Sequence, residues 1–365
     1  MPVPDPIPAG RLTAGDFVAQ CTGDRLVHFL LNVGDGDTQL VLLPEQSGTR
    51  RMLVVDVATT RKLPALIAAL RAHPALGPRI GGIPLVVATH PHNDHIGGMP
   101  ELLDLHHDEI GELWDSGFFY TSQTYFELMA TVDEHAVPIA QPTSGTTRWI
   151  DAVKVEALSP SIQLRNRFDT YGVDANNASI VLALEFPSAV ARAQGAPAPA
   201  RRLILGGDAQ TLAWAGVVED FPELVANPSP VYAALRMAQG GDTLAADVLK
   251  VSHHGSKHGI NLELIERIRP GLSLISSVGG GGEFNFPHLL AQEALREARQ
   301  PTTSSGAPRK EDYDLGIHYT SAVDDSGAGL GTIAVIVPPT GRPQVWRFGD
   351  SPAQTVDLAA ARRFA

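Results

Sequence analysis

Short apolar runs bounded by turn residues alternate along the chain with longer segments of helical periodicity. Runs such as IPLVVA at 83–88 and IVLALEF at 180–186 predict buried strands, whereas LPALIAALRAH at 63–73 has the apolar spacing of a helix. The predicted strands cover residues 25–33, 38–43, 51–57, 83–89, 153–158, 179–186, 202–207, 247–252, 272–278, 331–337 and 343–348. The predicted helices cover residues 63–73, 96–107, 116–136, most of 209–240, 261–268 and 289–300. This order of elements predicts two packed sheets with helices on their outer faces.

The sequence contains no internal repeat and no linker long enough to separate independent domains. Its 365 residues are 44% apolar and 19% charged, a composition that predicts a globular protein with a large core and excludes a disordered chain. We therefore expect one domain over 24–350, with a leader over 1–23 and a tail over 351–365. Insertions are expected near 106–150 and near 188–200, the second as a flexible hairpin.

Charge and cysteine content narrow the classes of function. With 28 basic and 40 acidic residues and a net charge of −12, the chain lacks the basic surface of a general nucleic-acid binder or a membrane-surface protein. Its apolar runs are too short to span a bilayer, and its first residues do not resemble a secretory signal. The single cysteine, Cys21, excludes an internal disulfide and a cysteine-rich zinc site. These features predict a cytoplasmic protein in which any metal is held by histidine, carboxylate or carbonyl groups.

The densest group of ligand-type side chains is THPHNDHIGG at 89–98. His90 and His92 lie two residues apart at the end of a predicted strand, so their side chains point to the same side. Asp94 and His95 follow in the turn into a helix. Imidazole and carboxylate ligands suit zinc, manganese or iron. The alternative is a polar, solvated turn, which we disfavour because so many ligand-type residues follow a buried strand directly.

Two further predicted strands end in ligand-type side chains. LILGGDAQ at 203–210 ends in Asp208, which can bridge two cations through its two oxygens or, alternatively, cap a helix. DVLKVSHHGSKHG at 247–259 ends in His253 and His254, for which a surface turn is the alternative. Three strands with such endings make a shared metal site the better interpretation.

These motifs resemble a known family. HPHNDH at 90–95 is similar to the HxHxDH signature of the metallo-β-lactamase superfamily, and Asp208 and the later histidine pair follow in the order that this superfamily uses. The chain looks closest to one branch, the hydrolase domain of ComEC-type competence proteins, over roughly residues 25–300. The matching segments are LNVGDGD (31–37), MLVVDV (52–57), NNASIVL (176–182), LGGDA (205–209), VLKVSHHGS (248–256) and NFPH (285–288).

The resemblance implies an α/β fold of the αββα sandwich type, with a two-metal site on the sandwich edge. The implied ligands are His90 and His92 for the first metal, Asp94 and His95 for the second, Asp208 as a bridge, and one of His253 and His254 to complete the second site. We favour His254, because it matches the position of the superfamily's last ligand. His253 would then support a ligand or contact the substrate.

The sequence departs from the superfamily pattern at one ligand of the first metal. The superfamily usually supplies a further histidine there, but no histidine lies between His135 and His253. Asn176 and Asn177 occupy the corresponding position, as asparagines do in the similar branch, and are candidates for an extra ligand or a substrate contact. We expect two divalent metal ions, zinc first and manganese or iron as alternatives, with a mononuclear site left open.

The implied activity is hydrolysis by metal-activated water. In this scheme Asp94 orients the water, and His253 or His288 protonates the leaving group. Ser256 and Lys257 would contact a phosphate. We favour a phosphodiesterase or nuclease-like activity. The alternatives are a small-molecule hydrolase of the lactone, thioester or β-lactam class, and an inactive scaffold protein.

The acidic balance limits the substrates that we expect. Phosphate affinity must arise locally, from the metal ions and from cations such as Lys257, Lys250 and the pair Arg201–Arg202. We therefore expect a small-molecule or short nucleic-acid substrate, no tight binding of duplex DNA and no membrane partner, and the oligomeric state stays open. Aromatic side chains over 114–126 pack in the core in the interpretation we favour, with a substrate groove as the alternative. We expect His318 to be solvated.

Overall fold

A computed structural model describes residues 4–170, 172–223, 229–231, 242–280, 282, 284–301 and 308–364. Its strands are β1 (Leu12–Ala14), β2 (Leu26–Leu30), β3 (Thr38–Leu42), β4 (Met52–Val57), β5 (Leu85–Ala88), β6 (Leu113–Asp115), β7 (Ile139–Ala140), β8 (Thr147–Ile150), β9 (Val153–Ser159), β10 (Val181–Phe186), β11 (Arg201–Leu205), β12 (Val248–Lys250), β13 (Leu272–Ile275), β14 (Ile317–Tyr319), β15 (Ile333–Val337), β16 (Gln344–Arg347) and β17 (Arg362–Phe364). Its α-helices are α1 (Phe17–Gln20), α2 (Lys62–Ala72), α3 (Asn93–Ile96), α4 (Met99–His106), α5 (Gln123–Glu134), α6 (Ile162–Arg165), α7 (Ala189–Ala193), α8 (Thr211–Asp220), α9 (Leu262–Ile268) and α10 (Leu289–Arg299).

The strands form two mixed sheets. The first has the order β1-β17-β16-β15-β2-β3-β4-β5-β6-β7, and the second has the order β14-β13-β12-β11-β10-β9-β8. In the first sheet β4 to β7 are parallel, and in the second β11 to β14 are parallel. The remaining neighbours are antiparallel. This two-sheet α/β architecture confirms the predicted fold class.

Apolar residues on successive positions of a strand separate the layers of the sandwich. In β4, Leu53 and Val55 join the core between the sheets, whereas Met52 and Val54 pack under the outer helices. The reason is that successive side chains of a strand point to opposite faces. Strands covered on both faces must be apolar throughout, and this explains the unbroken apolar runs in the sequence. A separate core forms under α8, α9 and α10 on the outer face of the second sheet.

Several predicted elements differ from the structure in their bounds. The helix expected over 96–107 is split into α3 and α4 at Gly97–Gly98, and the helix expected over 116–136 begins only at Gln123. Ser122 caps that helix by accepting a hydrogen bond from the backbone N–H of Tyr125. Of the helical segment expected over 209–240, α8 covers the first part, and residues 224–228 and 232–241 lie outside the described residues.

Both terminal segments take part in the first sheet. β1 pairs with β17, and β17 pairs with β16, all in antiparallel register. The segment near 106–150 contributes β6, β7 and β8, and the segment near 188–200 contains the short helix α7. Among the helices described, none is both long enough and apolar enough to cross a membrane.

Candidate metal centre

The ligand-type residues singled out in the sequence lie just beyond the carboxyl ends of three central strands. His90 and His92 follow β5, and His92 is the residue that precedes α3, which carries Asp94 and His95. Asp208 follows β11 of the second sheet, and the histidine pair follows its parallel neighbour β12. The cluster therefore forms where the carboxyl ends of strands from the two sheets meet.

Four of these side chains converge on one point. Ligand atoms of Asp94, His95, Asp208 and His254 all lie within 4.8 Å of one another. The Nε2 atom of His95 is 3.2 Å from Oδ1 of Asp208, and Nε2 of His254 is 3.6 Å from the same oxygen. Nε2 of His254 also lies 3.7 Å from Oδ2 of Asp94. We call these four residues the second set.

Unpartnered atoms in the second set test whether it fits a metal ion. Nε2 of His95, Nε2 of His254 and Oδ1 of Asp208 are buried and have no hydrogen-bond partner. Buried polar atoms are normally paired, because an unpaired one costs the free energy of its lost hydration. Three unpaired nitrogen and carboxylate atoms facing one point are the donor set that a divalent transition metal requires. The residues therefore fit a metal ion.

His90 and His92 form a second group beside Asp208, which we call the first pair. Nε2 of His90 lies 3.0 Å from Nδ1 of His92 and 3.9 Å from Oδ2 of Asp208. Burial lowers the pKa of both imidazoles, that of His90 well below its ordinary value, so both rings are neutral near pH 7. The neutral ring is the form that binds a metal ion.

Asp208 lies between the two groups. Its Oδ1 faces His95 and His254 of the second set, while its Oδ2 faces His90 of the first pair. Burial opposes its charge, but His95 and His254 hold the pKa of Asp208 well below its usual range. The carboxylate is thus ionised and has one oxygen for each group, as a bridging ligand requires.

Neighbouring groups fix the proton positions of three histidines. His95 donates from Nδ1 to Asp56 at 2.8 Å, and His254 donates from Nδ1 to the carbonyl oxygen of Ser276 at 3.2 Å. The hydroxyl of Thr89 donates to Asp56 and lies 3.2 Å from Nδ1 of His90, so it accepts from that nitrogen. Each ring consequently presents an unprotonated Nε2 to the cluster when it is neutral.

A buried ion pair lies behind His254. Lys250 and Asp37 are both fully buried and in direct contact, and Asp37 also accepts a hydrogen bond from the hydroxyl of Ser276. That hydroxyl lies 3.1 Å from Nδ1 of His254. In the sequence analysis, Lys250 is one of the cations expected to supply local affinity for phosphate. That interpretation of Lys250 is wrong, because the ammonium group is enclosed and paired.

Arg201 and Arg202 are also unavailable to a substrate at the cluster. Arg202 pairs with Glu185 and Arg201 with Asp247. Both arginines belong to the first residues of β11, whereas Asp208 follows its last residue. The expectation that they supply local positive charge at the site is therefore wrong.

The two adjacent histidines differ in their surroundings. His254 is 1% exposed and belongs to the second set, as favoured from the sequence, whereas Nε2 of His253 lies 3.7 Å from Oδ2 of Asp208. Both residues have a positive φ, 51° for His253 and 53° for His254, which is uncommon outside glycine. This left-handed turn directs the two rings to the two oxygens of one carboxylate. Backbone strain of this kind is typical of functional sites.

The two asparagines have different roles in the structure. Asn177 is engaged, because its Oδ1 accepts from the backbone N–H of Ala213 at 3.1 Å and its Nδ2 donates to Asp174 at 3.1 Å. Oδ1 of Asn176 is buried and has no hydrogen-bond partner. Asn176 therefore keeps a free ligand atom, whereas Asn177 positions α8 against the loop before β10.

The remaining predicted residues lie beside the second set. Lys257 is exposed, and its backbone N–H donates to Nδ1 of His288 at 2.9 Å. A neutral His288 therefore carries its proton on Nε2. Ser256 is 2% exposed, and its hydroxyl accepts from the backbone N–H of His258 at 3.3 Å. This burial makes Ser256 a residue that shapes the loop more than one that contacts a phosphate.

Comparison with known proteins gives a family match and one curated relative. The model of the metallo-beta-lactamase superfamily matches residues 46–128. ComE operon protein 3 of Bacillus subtilis (strain 168) is 25% identical over 299 residues, which are 78% of this chain and 33% of that protein. The chain thus spans about a third of the length of this relative.

Solved structures that resemble the chain share low sequence identity with it. CmlA, a diiron beta-hydroxylase from Streptomyces venezuelae, has a TM-score of 0.39 and 10% identity, covering 81% of this chain and 53% of its own. A diphosphatase from the PhnP family has a TM-score of 0.36 and 12% identity, covering 82% and 95%. The short form of human tRNase Z has a TM-score of 0.35 and 12% identity, covering 69% and 92%.

The family match includes the strand that leads into the cluster and the residues that build much of it. His90, His92, Asp94 and His95 all fall within the matched residues 46–128. Asp208 and His254 complete the same cluster from the second sheet. The cluster thus combines four residues of the segment that matches the metallo-beta-lactamase superfamily model with two residues that follow strands of the second sheet.

Proposed function

We propose that this chain is a phosphodiesterase that uses two divalent metal ions. The observation that carries the proposal is the position of Asp208, with one oxygen facing the second set and the other facing the first pair. Paired metal sites that share a carboxylate are suited to phosphoryl centres, because they stabilise both the attacking and the leaving oxygen. Zinc fits the imidazole-rich donor set best, with manganese and iron as alternatives.

The residues of the chain have distinct parts in the proposed reaction. His90 and His92 would hold the first ion, with Asn176 as a further ligand, and the second set would hold the other ion, with Asp208 shared. Bound ions would lower the pKa of a water molecule and offset negative charge that develops on the phosphoryl oxygens. His95 and His254 would contribute from Nε2, because their Nδ1 protons are directed away from the cluster.

Asp94 would orient the attacking water, and His288 would donate a proton to the leaving oxygen. Asp94 has a side chain that is 45% exposed, and its pKa is lowered because His254 and His95 outweigh the effect of burial. It is therefore ionised and placed to orient an incoming water. A neutral His288 carries its proton on Nε2. Its ring contacts Phe286, which in turn contacts His254 of the second set. We therefore assign to His288 the donation of a proton to the leaving oxygen.

Metal content and a substrate panel test this function. Elemental analysis of the purified protein should find two equivalents of transition metal, and the loaded enzyme should hydrolyse bis-p-nitrophenyl phosphate or a short single strand. Asp208→Asn should lose at least one equivalent of metal and about 100-fold or more in kcat/KM, a loss within the range expected for a metal ligand and its supporting groups. Asp108→Asn is the matched control, because its carboxylate is 96% exposed.

Two outcomes would overturn the proposal. Hydrolysis of lactones, thioesters or β-lactams without any phosphodiester cleavage would assign the chain to a small-molecule hydrolase. A protein that binds no transition metal and whose His92→Ala variant behaves identically in every assay would be an inactive scaffold. The cytoplasmic location, a small or short nucleic-acid substrate and the absence of tight duplex binding stay predictions.

A further inference from the structure

Aromatic side chains lie at both ends of the row of ligand histidines. At one end the ring of Tyr120 lies 5.2 Å from that of His92. At the other end the ring of Phe286 lies 5.2 Å from His253 and 5.6 Å from His254. The first pair and the second set therefore lie between two aromatic groups.

Each end extends outward into exposed rings. Phe119 is 66% exposed and lies 6.1 Å from the 50% exposed ring of Phe126. We call Phe119, Tyr120 and Phe126 the Tyr120 cluster. Phe284 is 58% exposed and is stacked on Phe286 at 5.7 Å with an interplanar angle of 23°. We call Phe284 and Phe286 the Phe286 cluster.

The exposure of Phe119, Phe126 and Phe284 argues against core packing as the role of these three rings. Of the aromatic residues near 114–126, Trp114 is fully buried and packs between the sheets, as the sequence predicted for the whole group. Phe119 and Phe126 depart from that prediction. The hydroxyl of Thr124 donates a hydrogen bond to Asn93 at 2.8 Å. This bond joins the segment of these two rings to residues 90–95, which we call the ligand loop. Exposed aromatic surface that is joined to a reactive centre is typical of a ligand contact.

A phosphodiester bound at the cluster carries a substituent on each of its two ester oxygens. The two aromatic clusters lie at opposite ends of the row of histidines, one beside His92 and the other beside His253 and His254. We propose that the Tyr120 cluster and the Phe286 cluster bind unpaired nucleobases on either side of the scissile phosphodiester, an inference that rests on the proposed phosphodiesterase function. Flat aromatic bases stack on such rings without regard to sequence. In a duplex the bases are stacked on one another, so they are not available to these rings.

The net charge of the chain favours a single-stranded substrate over a duplex. The chain has a net charge of −12, and on the described residues the cation beside the Phe286 cluster is Lys257. Duplex affinity depends mainly on many phosphate contacts, whereas stacking supplies affinity at each base. The site therefore draws its affinity for a strand from rings more than from basic residues.

Base-free substrates test the proposal. The substrate is a thymidine pentamer in which the second of the four linkages is the only hydrolysable one, and this linkage is flanked by thymines or, in matched pentamers, by a base-free tetrahydrofuran on one side or on both. Removal of a base should lower kcat/KM about tenfold, the loss expected from one stacking contact. Phe284→Leu and Phe119→Leu should each raise KM about tenfold with little change in kcat, because stacking is uniform binding. Neither variant should affect the pentamer that lacks both bases.

The control is an exposed aromatic residue far from the cluster. Trp149 is 57% exposed and lies beside Leu85, at the opposite end of β5 from the ligands. Trp149→Leu should leave the kinetics of every pentamer unchanged. Equal kcat/KM for pentamers with and without bases, or unchanged KM in both phenylalanine variants, would overturn the proposal.

A binding measurement separates this proposal from the proposed activity. A pentamer that contains 2-aminopurine loses fluorescence when that base stacks on an aromatic ring. Quenching by the metal-loaded protein that is weakened by Phe284→Leu or Phe119→Leu would support the base sites even if no phosphodiester were cleaved. Cleavage of phosphodiesters without quenching would leave the phosphodiesterase intact and overturn the base sites.

Discussion

The buried pair of Lys250 and Asp37 shows how single residues hold the site in place. Asp37 links Lys250 to Ser276, and Ser276 accepts the Nδ1 proton of His254. A buried charge is tolerated only when a partner compensates it. The pair therefore supports His254 of the second set while it remains closed to substrate.

Removal of the ammonium group should destabilise the metal-free protein strongly. Lys250→Met leaves the carboxylate of Asp37 buried and unpaired, so we expect a loss of about 3–5 kcal/mol in the free energy of unfolding. Addition of Asp37→Asn should recover part of that loss, because it removes the uncompensated charge. Urea denaturation followed by circular dichroism measures both variants.

The control for this cycle is an exposed ion pair. Arg79 and Glu45 lie 2.7 Å apart, and the Arg79 side chain is 45% exposed. Arg79→Met should cost less than about 1 kcal/mol. Strictly additive losses for Lys250→Met and Asp37→Asn would show that the two groups do not depend on each other.

At the residue scale, the sequence predicted the residues that form the cluster better than the residues that support them. His90, His92, Asp94 and His95 were found because they are neighbours in the sequence at the end of one apolar strand. The link from Lys250 to Asp37 joins residues that are far apart in the sequence, and no local spacing encodes it. The exposed rings over 114–126 were assigned to the core, with a substrate groove only as the alternative, because composition does not show which aromatic residues reach the core.

The junction between α3 and α4 sets the position of the ligand loop at the scale of elements. A Cβ atom added to Gly98 would lie 2.4 Å from the carbonyl carbon and oxygen of Thr59, and one added to Gly97 would lie 2.6 Å from the carbonyl oxygen of Asn93. A Cβ atom at either position would clash with these backbone atoms, so only glycine fits. The two glycines thus let the helix start lie against the loop after β4, and this close approach places Asp94 and His95.

Substitution at this junction should disturb both folding and metal binding. Gly98→Ala forces α3 and α4 away from Thr59, and we expect a loss of about 1–3 kcal/mol in the free energy of unfolding. Metal affinity should fall with it, because Asp94 and His95 move with α3. Denaturation and isothermal titration with zinc measure the two effects.

Gly10 offers a matched glycine for this substitution. A Cβ atom added at that position would have no atom within 4 Å. Gly10→Ala should leave both stability and zinc affinity unchanged. If Gly98→Ala lowered stability but not zinc affinity, the junction would support the fold without placing the ligands.

At the element scale, the pattern of apolar runs predicted the central strands and helices well. Short strands such as β6 and β14 were missed, because three residues carry too little periodicity to be distinguished from a loop. The helix boundary at Gln123 was also wrong, because Gly117 has a left-handed φ of 79° and Ser122 caps the helix that follows. Periodicity thus predicts which segments are buried, whereas caps and glycines determine where they end.

Buried neutral histidines make the stability of the whole molecule depend on pH. Burial lowers the pKa of His28 to about 4 and that of His318 to about 3. The expectation that His318 is solvated is wrong, because β14 lies within the second sheet and the ring is 2% exposed. Both rings are uncharged in the folded protein throughout the mildly acidic range.

Acid should therefore weaken the fold through these two residues. Below pH 6.5 the unfolded chain binds protons at both histidines while the folded chain does not, so stability falls as the pH drops from 6.5 towards 4. Each residue contributes up to about 1.4 kcal/mol per pH unit in that window. His318→Gln and His28→Gln should each make the decline shallower in urea denaturation of the metal-free protein, whatever they cost at pH 7.

Trp149, which is 57% exposed and carries no titratable group, is the control position for this experiment. Trp149→Leu should keep the wild-type slope between pH 6.5 and 4. A slope that is unchanged in both buried variants would mean that carboxylates alone cause the acid sensitivity.

The cluster at the meeting edges of the two sheets also bears on the thermodynamics of folding. Its second set takes Asp94 and His95 from the first sheet and Asp208 and His254 from the second, so an ion bound there would join the two halves of the sandwich. An ion that binds only the folded chain adds RT ln(1 + [M]/Kd) to the free energy of unfolding, about 2.7 kcal/mol when free metal is a hundred times Kd. The melting temperature of this protein then rises with the concentration of free metal, and a chelator acts as a mild denaturant because it removes the ion.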